Sequence, residues 1–162
     1  MVSRVIPVDP FDLVIFGGTG DLARRKILPG LFRRFRSGQM PDGARIIAAA
    51  RSELDRAGYQ QMISDAIQEF GGAEKDDTEA VAKFLEVLDY TPIDAKGEGG
   101  WKALSKMVRK DVIQAFYFSV APSLFGDLAQ RLHDYKIANA ESRIEWVRAY
   151  IKELAHHHFG LQ

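Results

Sequence analysis

Residues 11–26 read FDLVIFGGTGDLARRK, and this junction limits the fold more tightly than any other stretch. The apolar run Leu13–Phe16 enters three glycines, Gly17, Gly18 and Gly20. A short, uninterrupted apolar run is what a strand buried on both faces needs, as in a parallel sheet covered by helices. From Asp21, the spacing of Leu22, Ile27, Leu31, Phe32 and Phe35 predicts a helix. Pro29-Gly30 falls inside it, so a kink or split is expected near its middle. Gly18 to Ala23, GTGDLA, satisfies G-x-G-x-x-A, a variant of the dinucleotide fingerprint, between the predicted strand and helix.

That order of elements has a physical meaning. Glycine adopts backbone angles that a Cβ forbids and lets the main chain approach a pyrophosphate. The first-turn N–H groups of the helix lack internal partners, so with the helix dipole they attract an anion. Asp21 suits the dipole as an N-terminal acid, although its charge does not itself attract phosphate. A tight turn without a ligand is the competing reading of the motif; the flanking strand and helix weigh against it.

The rest of the chain alternates in the same way. Arg45 to Ala50 is a second short strand ending at Arg51. Tyr59, Met62, Ile63, Ala66, Ile67 and Phe70 carry helical spacing, closed by Gly71-Gly72. A further helix runs through Val81, Phe84, Leu85 and Leu88, overlapping a strand expected over Glu86 to Ile93. An amphipathic stretch, Trp101 to Val108, leads to the strand-like run Val112 to Val120, which Pro122 ends before helical spacing resumes over Ser123 to Leu132. Such alternation predicts an α/β fold of Rossmann type, a doubly wound parallel sheet with helices on its faces.

Composition narrows the class of function. The 162 residues balance 22 acidic against 22 basic side chains, so no global field points to nucleic acid or an anionic membrane. Cysteine is absent, no run approaches a bilayer-spanning length, and the N-terminus lacks a signal peptide's apolar core. A cytoplasmic protein is expected.

The end of the second strand bears on coenzyme choice. An acid there bonds the ribose 2′-hydroxyl of NAD, whereas a cation accommodates the 2′-phosphate of NADP. Here the strand ends in Arg51-Ser52, a guanidinium fork beside a hydroxyl donor. Glu53 lies beyond the strand end and is expected to begin the next helix. A solvated strand-end charge is the alternative for Arg51; beside the glycine loop, NADP is favoured.

With these residues in hand, the chain resembles the N-terminal, coenzyme-binding domain of glucose-6-phosphate dehydrogenases. GGTGDLARRK is similar to that family's G-x-x-G-D-L-A-[KR]-[KR]-K loop, and AARS (Ala49 to Ser52) and FYFSVAPSLFG follow in the family's order. The resemblance implies that Gly17, Gly18, Thr19, Gly20, Asp21 and Leu22 cradle the NADP pyrophosphate and that Arg51, with Ser52, holds the 2′-phosphate. It implies that Asp94-Ala95 lines the cofactor, that Tyr117 and the Val120-Ala121-Pro122 turn border the adenosine or nicotinamide end, and that Lys26 points toward substrate and nicotinamide. From the residues alone, Tyr117 belongs to the core of an aromatic strand and Lys26 is a solvated helix lysine.

The resemblance covers roughly the first four-fifths of the chain. After Ser142-Arg143-Ile144 the family continues into E-K-P-x-G, whereas this sequence reads EWVRAYIKELAHHHFGLQ. A division is therefore expected into an NADP-binding domain, 1–144, incomplete relative to the family, and a divergent helical tail, 145–162. The family's R-I-D-H-Y-x-G-K-E segment, with the histidine that takes the sugar's proton, is absent, and His133, His156, His157 and His158 lie in no family catalytic motif. No metal site is expected. Two readings stand: part of a dehydrogenase that binds NADP and does not turn over glucose 6-phosphate alone, or a non-catalytic NADP-binding or interaction module.

Overall fold

The computed structural model describes residues 9–138. The expected tail, 145–162, with its three consecutive histidines, lies outside the described residues. Four strands form one sheet: β1 (Phe11–Phe16), β2 (Arg45–Ala50), β3 (Leu88–Pro92) and β4 (Ile113–Phe118). They pair in the order β3-β2-β1-β4, all in parallel. The helices are α1 (Leu28–Arg36), α2 (Arg56–Phe70), α3 (Thr78–Val87), α4 (Trp101–Met107) and α5 (Phe125–Asp134). Among the described residues no helix is long and apolar enough to cross a membrane. The doubly wound parallel fold expected from the alternation is what forms, as a four-stranded portion of it.

Successive side chains on a strand face opposite ways, and two cores result. Leu13, Ile15, Ile46, Ala48, Leu88, Tyr90, Ala115 and Tyr117 pack with α1, α2 and α3, where Phe84 sits 5.6 Å from Phe32 and 5.5 Å from Phe35. Val14, Phe16, Ile47, Ala49 and Phe116 face α4 and α5, with Trp101, Leu104, Leu128 and Leu132. Burial on both faces explains why the strands read as continuous apolar runs.

The disturbance expected at Pro29-Gly30 lies one turn earlier. The chain is helical from residue 21 but widens into a π-helical turn over Ala23–Ile27, where the Leu28 N–H reaches back five residues to Ala23 O. Proline lacks an N–H and its ring crowds the carbonyl four residues back, here Arg25's. The wider turn accommodates it, and α1 continues with Pro29 in its first turn.

The overlapping helix and strand signals near Leu88 are resolved at Val87, where α3 ends and Leu88 turns extended. The last carbonyls of a helix need outside donors. Side chains of α2 supply them: Gln60 donates to Leu85 O (2.7 Å), and Arg56 to Glu86 O (2.8 Å) and Leu88 O (2.9 Å). Glu53 does not begin α2, as had been expected. Asp55 caps that helix, accepting from the Gly58 N–H at 2.7 Å, and Glu53 stays in the exposed loop before it.

At the N-terminal end of the sheet, Asp12 is fully buried. Its carboxylate accepts from the Arg109 side chain (2.7 and 3.0 Å) and backbone N–H (2.7 Å), and from Arg45 at 3.2 Å. Burial alone raises its pKa, but the hydrogen bonds from Arg109 and then Arg45 outweigh it and hold the carboxyl below its usual value. Arg109 also donates to Gly43 O (2.6 Å) and Arg45 to Met107 O, tying β1 to the loop before β2, to the end of α4 and to the loop that follows it.

Candidate functional site

The opposite, C-terminal end of the sheet holds the cleft. β1 and β4 are neighbours although the chain travels out to β3 and back between them, and crevices at such switch points are where α/β sheets bind ligands. The strand ladders run a residue beyond β1, β3 and β4 there. Gly17 N–H donates to Ala49 O (2.8 Å), Ile93 N–H to Ala50 O (2.8 Å) and Ser119 N–H to Phe16 O (2.8 Å). The loops that follow enclose about 620 Å³, within the range of small-molecule sites.

The glycine turn forms the floor. Gly20 N–H donates to Gly17 O (3.0 Å), and Arg24 N–H closes the first helical bond on Gly20 O (3.1 Å). The N–H groups of Asp21, Leu22 and Ala23 therefore belong to the first turn. Gly17 has φ +78°, and a Cβ there would sit 2.0 Å from Ser119 O, so only glycine fits between β1 and β4. Gly18 serves packing instead: a Cβ on it would lie 2.6 Å from the Ala48 Cβ.

Of the residues expected at the site, Gly17, Thr19, Gly20, Arg51, Ser52, Asp94 and Ala95 line the cleft, as do Val120 and Ala121. Thr19 Oγ1 and Ser52 Oγ are 3.3 Å apart, joining the glycine turn to the end of β2. Arg51 is exposed at the rim, and among the described residues its guanidinium makes no hydrogen bond or ion pair. Trp101 Nε1 donates to Asp94 O (2.9 Å), and Arg131 to Lys96 O (2.8 Å), so α4 and α5 hold the 94–96 loop.

Other expected residues are elsewhere. Tyr117 is buried in the core with α1 and α2, because its position in β4 points it to the face away from α4 and α5. Lys26 is exposed on the π-helical turn and does not line the cleft, in keeping with a solvated helix lysine. The Asp21 side chain points to solvent and pairs with Arg25 at 2.7 Å, and Leu22 packs against the core, so both lie outside the lining and offer only their first-turn backbone. Lys96, Ser119, Ser123 and Leu128 do line it. Lys96 had a signal, two residues beyond Asp94; Leu128 had none, since its helical spacing reads as core.

Two tyrosines brace the cleft from beneath. Tyr59 of α2 donates to Gly18 O (3.0 Å), and Tyr90 of β3 to Ser52 O (2.6 Å) and Ala50 O (3.2 Å). Their rings stack with centroids 5.0 Å apart. Burial, and then Tyr90, push the Tyr59 hydroxyl far above the ordinary tyrosine range. For Tyr90, burial and nearby Glu53 raise it against the lowering effect of the Ser52 bond. Both remain protonated donors at neutral pH.

The cleft suits a dinucleotide: the glycine turn on its floor leads into the first-turn N–H groups of the helix, Arg51 and Lys96 are its cations, and Asp94 is its acid, engaged by the Lys96 N–H at 3.0 Å. Comparisons with known proteins agree. The family model "Glucose-6-phosphate dehydrogenase, NAD binding domain" matches residues 14–151. The chain is similar to the glucose-6-phosphate 1-dehydrogenase of Rhizobium meliloti (strain 1021), 41% identical over 96% of this chain and 32% of that protein. The Gluconobacter oxydans (strain 621H) enzyme is 43% identical over 85% of this chain and 29% of its own. The crystal structure of the Mycobacterium avium glucose-6-phosphate 1-dehydrogenase superposes with a TM-score of 0.73 at 25% identity, covering 81% of this chain and 28% of that one. The sequence thus spans about a third of these relatives' lengths, 32% and 29% for the two curated proteins. On its motifs, its fold and this match, the chain belongs to the glucose-6-phosphate dehydrogenase family, within that family's NAD-binding domain.

Proposed function

We propose that this chain forms the NADP-holding part of a glucose-6-phosphate dehydrogenase, an oxidoreductase that converts glucose 6-phosphate and NADP to 6-phosphogluconolactone and NADPH at the entry to the pentose phosphate pathway. The observation that carries the reading is the joining of the glycine turn to Arg51-Ser52 across one cleft through the Thr19–Ser52 contact. First-turn N–H groups bind the pyrophosphate, and the Arg51 fork with the Ser52 hydroxyl binds the 2′-phosphate. Asp94 and Ala95 bound the cleft on the β3 side. Bound NADP supplies the hydride acceptor. The absence of cysteine fits a cytoplasmic, reducing setting.

Hydride transfer also needs the sugar held at near-attack distance and a base within hydrogen-bond reach of its hydroxyl proton. Among the described residues the single histidine, His133, is exposed on α5 and does not line the cleft. The 162-residue chain is accordingly expected to bind NADP in a calorimetric titration, yet to give no absorbance rise at the nicotinamide band with glucose 6-phosphate. A folded sample that binds neither nicotinamide coenzyme would remove the proposal. A coenzyme-dependent rise with the purified chain would overturn its assignment as a binding part.

A further inference from the structure

The two tyrosines under the cleft are buried polar groups that coenzyme binding itself does not require. Tyr59 is fully buried and Tyr90 is 5% exposed. Both could have been phenylalanine for packing alone, yet both hydroxyls end on backbone carbonyls of the two loops that form the cleft. Tyr59 holds Gly18 O in the glycine turn, and Tyr90 holds Ala50 O and Ser52 O on either side of Arg51. The stacked rings make one strut between those loops. Ser52 O also accepts locally from the Leu54 N–H (3.1 Å) and Ala50 O from the Ile93 N–H (2.8 Å), so loss of the Tyr90 hydroxyl orphans neither carbonyl but removes the tie from β3 that fixes the Ser52 loop against the sheet.

We infer that Tyr90 is a positioning residue for coenzyme choice, fixing the Arg51-Ser52 backbone so that the guanidinium meets a 2′-phosphate, while Tyr59 fixes the glycine turn that either coenzyme uses. The inference rests on the NADP reading above. It separates the two hydroxyls: Ser52 O lies next to the arginine that would distinguish NADP from NAD, whereas Gly18 O lies in the turn that meets the pyrophosphate common to both. A guanidinium is effective against phosphate only when its fork is aligned, so freedom at Ser52 weakens the phosphorylated coenzyme selectively.

The test is to titrate NADP and NAD separately into the full 162-residue chain and into Tyr90→Phe and Tyr59→Phe, each of which removes one oxygen and keeps the ring. Tyr90→Phe is expected to raise the NADP Kd about fivefold and the NAD Kd by less than about twofold. Tyr59→Phe is expected to raise both by a similar factor. The NADP-to-NAD ratio is the decisive readout, because a general loss of folded protein lowers both affinities alike. A Tyr90→Phe chain with an unchanged ratio, or a Tyr59→Phe chain that shifts the ratio as much, would overturn the inference while leaving the NADP reading intact. A wild-type chain that binds neither coenzyme removes both.

Discussion

Asp12→Asn is expected to destabilise the fold by about 3 kcal/mol at neutral pH, at the lower end of the cost of breaking a buried ion pair, because both arginines are about a third exposed (35% and 33%) and water can partly replace the lost partner. The amide keeps the shape of the carboxyl but turns an N–H₂ toward guanidinium donors, so the hydrogen bonds from Arg45 and Arg109 cannot all be retained. For a domain of this size the melting temperature should fall by roughly 6–12 °C. The pH dependence distinguishes charge from packing. The folded pKa of Asp12 is depressed, so its contribution is fully present above the ordinary aspartate value of about 3.9 and is lost as pH falls through the lower folded value. The gap between wild type and variant should therefore narrow below about pH 4. Melts across the acid range check this, and a gap that stays constant on acidification would show that the charge is not what stabilises.

Arg51→Glu should weaken NADP binding about a hundredfold or more, since it removes a charge-assisted fork and sets a carboxylate against a phosphate. NAD should bind as well as before or better, because a carboxylate at that position can accept from a ribose 2′-hydroxyl. Arg51 is well suited to this comparison. It is exposed at the cleft rim and makes no ion pair among the described residues, so the substitution breaks no internal contact there. Calorimetric titration with each coenzyme is the measurement; equal losses for both would assign Arg51 a general role in the cleft rather than discrimination.

Much of this architecture was legible from the residues. Strands buried on both faces are nearly continuous apolar runs, and the glycine turn had to adopt angles and approaches that only glycine permits, so β1, its turn and the following helix could be read directly. The position of Arg51 followed from the end of β2. What stayed hidden depended on partners distant in sequence. Asp12 reads as one polar residue in an apolar run, and its meaning comes from Arg45 and Arg109, 33 and 97 residues away. The end of α3 is set by Arg56 and Gln60 on another helix. Tyr59 and Tyr90 sit at ordinary core positions, and nothing in their spacing tells that their hydroxyls converge on two loops. Tyr117 shows the limit of family likeness: a β4 side chain must face one layer or the other, and it faces the core.

The six residues of β1 carry the ion-paired carboxylate near one end and run into the glycine turn at the other, about 17 Å apart at the rise of a strand. Perturbations separated by that much, with no shared neighbours, combine as a simple sum. Asp12→Asn together with Arg51→Glu should therefore lose the stability of the first and the affinity of the second without amplification. The sheet acts as an insulator, and coenzyme preference can be retuned at its upper rim without loosening the clasp at its base.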